Sequence, residues 1–297
     1  MIKMPGLIDF AEIHQDTPIL IAGQTASGKS HLAIQIAEKQ GGTIINADAI
    51  QVYDNWRILT ARPSSTDEAK IKHKLYGHID GVTDYSVGNW IKEIKETLSN
   101  NSRPIIVGGT GLYFSALTNG LVDIPEISKP IRQEANSRVT ENGFESLVRE
   151  IDEETAQKID KNNPMRVQRA WEVLKSTGRG LNSWHNETPK PTLDLNMCKA
   201  FLLDGEVSLI NNRIIARFDQ MIEQGLIQEG KNNLATWNRS NPSSKAIGAQ
   251  QLIAYLNNEI SMDQLREQIV IATRRYAKRQ RTWFRNKMKS WERYIIN

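Results

Sequence analysis

Gly23, Gln24, Thr25, Ala26, Ser27, Gly28, Lys29 and Ser30 spell GxxxxGK[ST], the spacing with which a chain wraps a di- or triphosphate. Glycines let successive backbone N–H groups converge on phosphate oxygens, the following helix lends its positive end, Lys29 adds a point charge, and the Ser30 hydroxyl suits Mg2+. The loop is of the nucleotide- or ATP-binding kind, and a chance match in a chain this long runs at about one in a hundred. The acid that such loops usually find at the end of another apolar strand is missing, because Val107-Gly108-Gly109-Thr110-Gly111 holds no carboxylate. Asp48 closes a different apolar run instead. There a carboxylate faces the mouth of a parallel sheet and suits a general base, or else caps a turn. Arg217 falls about 20° from Ile210 on a helical projection, at the margin of an apolar stripe with Ile214, Phe218, Met221 and Ile222. It is either half of a salt bridge to an internal acid or a guanidinium for a diphosphate or a leaving-group charge.

The elements that must hold these groups are also written in the pattern. Residues 18–23 (PILIAG), 43–48 (TIINAD) and 104–108 (PIIVG) are short apolar runs that read as buried parallel strands, and 199–203 (KAFLL) makes a fourth. Helical stretches at 30–39 and 86–98 lie between them, which predicts an α/β fold of the P-loop NTPase-like, three-layer kind with a parallel sheet. Residues 123–197 hold no convincing strand, but Asn163 as N-cap, Pro164 at the first helical position and Gly178 as a stop mark helix. The expected division is an α/β core of 1–122 and 198–297 with a helical insertion of 123–197. Ser261 with Gln264 forms a capping box for a long helix that closes the chain.

The 297 residues exceed the ~100–200 of a typical domain, in keeping with a core that carries an insertion. With 39% hydrophobic and 24% charged residues, the composition excludes disordered, collagenous and coiled-coil classes. No apolar run spans a bilayer, and the opening MIKMPGLIDFAEIHQD has acids and no apolar core, so no membrane and no secretion are expected. The single cysteine, Cys198, forms no internal disulfide, which fits a reducing cytoplasm. The net charge of +4 is unevenly spread: ten Lys or Arg against two acids between Arg266 and Arg293 leave 28 basic and 32 acidic residues elsewhere. One face is therefore expected to meet a polyanion, most plainly nucleic acid, the bland alternative being a solvated helix.

GQTASGKS, NADAIQVY (46–53), TARP (60–63), GGTGLYF (108–114) and KRQRTWFR (278–285), in that order and over nearly the whole chain, resemble the tRNA dimethylallyltransferase (tRNA isopentenyltransferase) family. The resemblance implies transfer of a dimethylallyl group from dimethylallyl diphosphate to N6 of the adenosine immediately 3′ of the anticodon in tRNA, with Mg2+ and, as expected here, a monomer. It implies that the loop cradles the diphosphate, and that Thr25, Asp48 and Arg217 are the catalytic residues, Asp48 as the general base and Arg217 as the catalytic arginine. It assigns Asp48, Ala49, Ile50, Gln51, Thr110, Met165, Arg166, Val167, Gln168, Arg169 and Lys245 to tRNA contact. The same role is assigned to Lys278, Arg279, Gln280, Arg281, Thr282, Trp283, Phe284 and Arg285, and Arg132 is a further candidate on the insertion. Trp283 and Phe284 suit base stacking or packing of the helix on the core.

Four departures from the family's pattern concern Gln24 for Pro, Ala49 for Ser, Arg62 for Lys, and Ala249-Gln250 where an aromatic or cationic residue is frequent; none removes a named catalytic group. The chain stops soon after the basic helix, which implies a bacterial-type or organellar enzyme without an appended zinc finger. Two rival classes fit parts of the pattern: a P-loop small-molecule kinase, with Asp48 activating a hydroxyl, and a non-catalytic nucleotide-gated RNA-binding protein.

Overall fold

A computed structural model describes residues 13–99 and 102–296; most of the opening segment just considered, residues 1–12, lies outside them. Strands Ile19–Gly23 (β1), Thr43–Asn46 (β2), His73–Lys74 (β3), Pro104–Gly108 (β4), Lys199–Gly205 (β5) and Glu292–Ile296 (β6) form one sheet in the order β3-β2-β4-β1-β5-β6. Every pairing is parallel, with Ile21 opposite Val107 on one side and Phe201 on the other. The four apolar runs supply the central strands because both of their faces are buried, and continuous burial is what an unbroken apolar run serves. The two edge strands have no such signal. β3 has two residues, and β6 is half-buried along its length and follows directly on the basic segment.

Lys29–Gln40 (α1) lays Leu32, Ala33, Ile36 and Ala37 against Ile19, Ile21, Ile44, Ile105 and Phe201 on one face of the sheet. Alternate residues Leu20, Ile45, Ile106 and Leu202 point to the other face and are also buried. Ser65–Lys70 (α2) is a short capped turn of helix. Val87–Leu98 (α3) and Gly111–Asn119 (α4) bring Trp90 and Tyr113, stacked at 4.5 Å, with Trp90 Nε1 donating to Asn46 O at 2.8 Å.

The chain divides into two compact units, Met1–Thr118 with Thr192–Asn297, and Asn119–Pro191. Described by itself, the second consists of Lys129–Asn142 (α5), Glu145–Val148 (α6), Glu153–Lys158 (α7), Pro164–Thr177 (α8) and Leu181–His185 (α9), and no strand occurs among its described residues. Its core gathers Ala135, Leu147, Ile151, Val167, Ala170 and Trp171. α8 starts and stops as its spacing predicts: the Asn163 side chain accepts from Arg166 N–H, Pro164 leads, and Gly178 ends the helix at φ 68°. Residues 192–197, which composition groups with the helical stretch, belong to the first unit, where Leu193 N–H donates to Leu117 O at 3.0 Å.

The first unit ends in Val207–Glu223 (α10), Leu226–Leu234 (α11), Ala249–Leu256 (α12) and Met262–Lys287 (α13), which share a core with Trp56 and Leu59. The Ser261–Gln264 capping box forms as expected. The long helix stops at Lys287, so Arg293 stands on an edge strand and not on the basic helix. Among the described residues no helix is long and apolar enough to cross a membrane.

Candidate active site

The loop from β1 to α1 is shaped by two residues in the left-handed region, Ala26 at φ 61° and Gly28 at φ 84°, the second of which only glycine adopts without strain. The turn brings Lys29 back over the loop, where its Nζ donates to Gln24 O at 2.8 Å. Burial pulls the Lys29 ammonium down to about 8, with Arg217 adding to the fall and Asp48 opposing it. Ser30 is exposed in the first turn of α1. Gln24 and Ser27 are both 1% exposed. Gln24 Nε2 and Ser27 Oγ are buried without hydrogen-bond partners, unspent polar groups under the cradle.

Asp48 lies two residues beyond the end of β2, in the loop rather than on the strand. Asn46 sets that loop: its Oδ1 accepts Asp48 N–H at 2.8 Å, and its Nδ2 donates to Asp48 O and Leu75 O, both at 2.9 Å. Asp48 Oδ1 accepts Ile50 N–H at 3.0 Å, and Thr110 Oγ1 accepts Ala49 N–H at 2.9 Å. A methyl group on Gly109 would sit 3.3 Å from Asp48 Oδ2, so the carboxylate lies close against the β4 loop.

Arg217 completes the site from α10, where Ile210, Ile214, Phe218 and Met221 form the expected buried stripe. Its Nη1 donates to Thr25 Oγ1 at 3.0 Å and its Nη2 to Thr60 O at 3.3 Å, while Nε is buried without a partner. Among the described residues it forms no ion pair, so the salt-bridge alternative is not realised. Burial lowers its pKa and Asp48 opposes the shift. Thr25, Ala26, Gly28, Lys29 and Ser30 of the phosphate loop, Asp48 and Arg217 line one cavity of about 650 Å³, whose apolar wall includes Ile214, Phe218, Met221 and Ile269.

The remaining expected residues fall into three groups. Ile50, Gln51 and Lys245 line the cavity, with Gln51 Nε2 donating to Thr60 O and Ala61 O at 2.8 and 3.1 Å. On α13, Lys278, Arg279, Thr282 and Arg285 are exposed and Arg281 and Trp283 half-buried, whereas Gln280 is 6% and Phe284 2% exposed. These two sit where the 3.6-residue period turns inward: Gln280 lines the cavity rather than the outer face of the helix, Phe284 takes the packing role, and Trp283 lies against Gly111. In the second unit Met165 and Arg166 are exposed and Arg132 is half-buried, but Val167 belongs to the core. Gln168 bonds Asn136 and Glu172, and Arg169 pairs with Glu172 at 3.9 Å.

Sequence reasoning missed Glu229 of α11, whose carboxylate accepts the N–H groups of Arg57, Ile58 and Leu59 at 2.7, 2.7 and 2.8 Å. These bonds fix the turn that presents Thr60 O to Arg217, and nothing in the spacing of a lone helical acid announces them. It missed equally the inward role of Gln280, which a helical projection of α13 would have suggested.

A family model described as IPP transferase matches residues 51–287, and one described as isopentenyl transferase matches 17–81. A tRNA dimethylallyltransferase of Cereibacter sphaeroides is 50% identical over 285 residues, 96% of this chain and 91% of its own. Another, of Ruegeria sp., is 48% identical over 287 residues, 97% and 98% of the two chains. The full-length tRNA isopentenylpyrophosphate transferase of Bacillus halodurans superposes with a TM-score of 0.65 at 30% identity, over 94% of this chain and 90% of that one. A eukaryotic dimethylallyltransferase acting on tRNA reaches 0.77 at 27% identity, over 94% and 73%. With matches that run from the phosphate loop through the basic helix, the chain belongs to the IPP transferase family of prenyltransferases.

Proposed function

We propose that this enzyme moves a dimethylallyl group from dimethylallyl diphosphate to N6 of the adenosine immediately 3′ of the anticodon in tRNA. The observation that carries the reading is the single cavity in which a phosphate loop, an arginine without a carboxylate partner and a loop carboxylate meet. The diphosphate lies in the cradle of Gly23–Ser30, with the prenyl group against the apolar wall of α10. The extruded adenine enters beside Asp48, because a base in a stacked loop must turn out before N6 can reach a buried electrophile. The N6–C1 bond forms as the C1–O bond breaks. The N6 proton passes to Asp48 Oδ2, and the charge growing on the departing diphosphate is met by Lys29 and by Arg217, which Thr25 Oγ1 helps to aim.

The donor set fits Mg2+. The Ser30 hydroxyl is an exposed cavity-lining oxygen, and among the described residues no group of three or more His, Cys, Asp or Glu makes a protein cage. Mg2+ keeps several waters and binds substrate phosphates rather than an all-protein cage, so the Ser30 hydroxyl would be its protein ligand here and the ion would neutralise charge on the diphosphate. For the tRNA we assign the exposed cations of α13, with Trp283, to the backbone and neighbouring bases. Ala49, Ile50, Gln51, Thr110 and Lys245 surround the target base, and Arg132, Met165, Arg166 and Arg169 of the helical unit serve the anticodon stem-loop. A tRNA acceptor is in keeping with a cytoplasmic enzyme, and we read the enzyme as a monomer.

The deciding experiment incubates the protein with radiolabelled dimethylallyl diphosphate, unmodified tRNA and Mg2+, and with ATP in a parallel tube. Label in tRNA is the expected result; γ-phosphate transfer, or RNA binding without label, rejects the reading. Asp48→Ala is expected to lower kcat by ~10²–10⁴-fold with tRNA affinity within a few-fold, the signature of a group that acts mainly on the transition state.

A further inference from the structure

Gln280 sits on the helix assigned to RNA, yet only 6% of it is exposed, and a buried amide is costly unless both of its ends are partnered. Both are. Oε1 accepts Thr25 N–H at 2.8 Å, and Nε2 donates to Gly109 O at 2.9 Å. The two partners come from loops far apart in sequence that are the two halves of the site. Thr25 belongs to the phosphate cradle, and its hydroxyl meets Arg217; Gly109 lies against the Asp48 carboxylate. A methyl group on Gly109 would fall 2.3 Å from Gln280 Nε2 and 3.3 Å from Asp48 Oδ2, so the amide and the base are separated by little more than one backbone residue. Arg281, next along the helix, adds a second tie to the same cradle through Gln24 Oε1 at 3.2 Å. The Thr25 N–H is thereby spent on the helix and not offered to an anion.

From this we propose that Gln280 is a positioning residue: its amide sets the spacing between the diphosphate cradle and the carboxylate that receives the N6 proton, and joins both to the RNA-facing helix. The proposal rests on the reading of the site given above. Reaction requires N6, C1 and the bridging oxygen to be nearly in line, and small misplacements of two preassembled halves cost rate rather than affinity.

Gln280→Met, which keeps the volume and loses both bonds, and Gln280→Ala are compared with wild type for steady-state turnover, KM of each substrate, tRNA affinity and thermal midpoint. The expected result is a fall in kcat of about thirty-fold or more, with both KM values and tRNA affinity within about three-fold and the midpoint nearly unchanged. Gly109→Ala, whose methyl displaces the amide, is expected to show the same signature. The Gly109→Ala/Gln280→Ala double variant should be little worse than either single one, because the clash disappears with the side chain. Turnover at the wild-type level in Gln280→Met, a loss confined to tRNA affinity, a loss that only follows the thermal midpoint, or full additivity in the double variant overturns the proposal. A wild-type protein that transfers no label rejects the functional reading as well, whereas an active wild type with an unaltered Gln280→Met rejects the role of Gln280 alone.

Discussion

Lys29 is the residue where charge and burial most visibly oppose each other. Its ammonium is drawn into the cradle, leans on Gln24 O, and is pulled down to about 8 by desolvation, with Asp48 recovering part of the loss. Because this lies below the ordinary lysine value, the empty site sheds the proton as pH rises through 8, and a bound diphosphate, by supplying negative charge, restores it. Binding of dimethylallyl diphosphate near pH 8 is therefore expected to take up a proton, and its affinity should fall as pH climbs above 8. Calorimetry in buffers of differing ionisation enthalpy reads that uptake, and Lys29→Arg, which stays charged, should abolish it. Arg217 poses a different test. Its two Nη atoms are aimed by Thr25 Oγ1 and Thr60 O while Nε waits without a partner, so the fork and not only the charge matters. Arg217→Lys should lower kcat by ~10²–10³-fold, on the scale of removing one oriented donor from a transition-state oxyanion. Near-normal turnover in that variant would take the guanidinium out of the mechanism.

At the scale of elements, the strands that carry the site were legible because a parallel strand buried on both faces must be a short apolar run, and Pro104–Gly108 or Ile19–Gly23 can be little else. Caps were legible too, since Asn163, Gly178, Ser261 and Gln264 answer a local shortage of backbone partners that the nearby sequence alone can meet. The edge strands were not: β3 and β6 owe their pairing to a sheet already built beside them. Nor was the interior side of the site, where Gln280 and Glu229 hold backbone groups more than a hundred residues away. Glu229 shows what such a tie is worth. Its carboxylate satisfies three consecutive N–H groups of the 57–59 turn, and Glu229→Ala strands them, at ~2–3 kcal/mol if the turn stays partly buried. Urea denaturation should show that loss with an unchanged slope. Turnover should fall as well, because the turn leads to the Thr60 carbonyl on which Arg217 rests.

Across the whole molecule, charge is sorted by partner rather than by count. Arg57, Arg138, Arg179 and Arg266 each meet a carboxylate, Arg266 at 2.9 Å from Asp219, whereas Lys278 and Arg279 in the middle of α13 are exposed and have no carboxylate partner among the described residues. A cation already paired gives little to an incoming phosphate, since it must first leave its acid; an unpaired one releases a counterion from the RNA and steepens the salt dependence. Lys278→Ala and Arg279→Ala should each flatten the plot of log affinity for tRNA against log salt by ~0.7–0.9, and Arg266→Ala by much less, although all three remove one positive charge from the same helix. In the helical unit the contrast recurs between exposed Arg166 and Arg169, which is half-buried and paired with Glu172 at 3.9 Å, so Arg166→Ala should flatten the slope more than Arg169→Ala. Filter binding between low and physiological salt checks all five proteins. Equal slopes for the paired and unpaired variants would mean that the tRNA senses only the net charge of the basic segment, and that the ordering of its cations along the helix has no part in recognition.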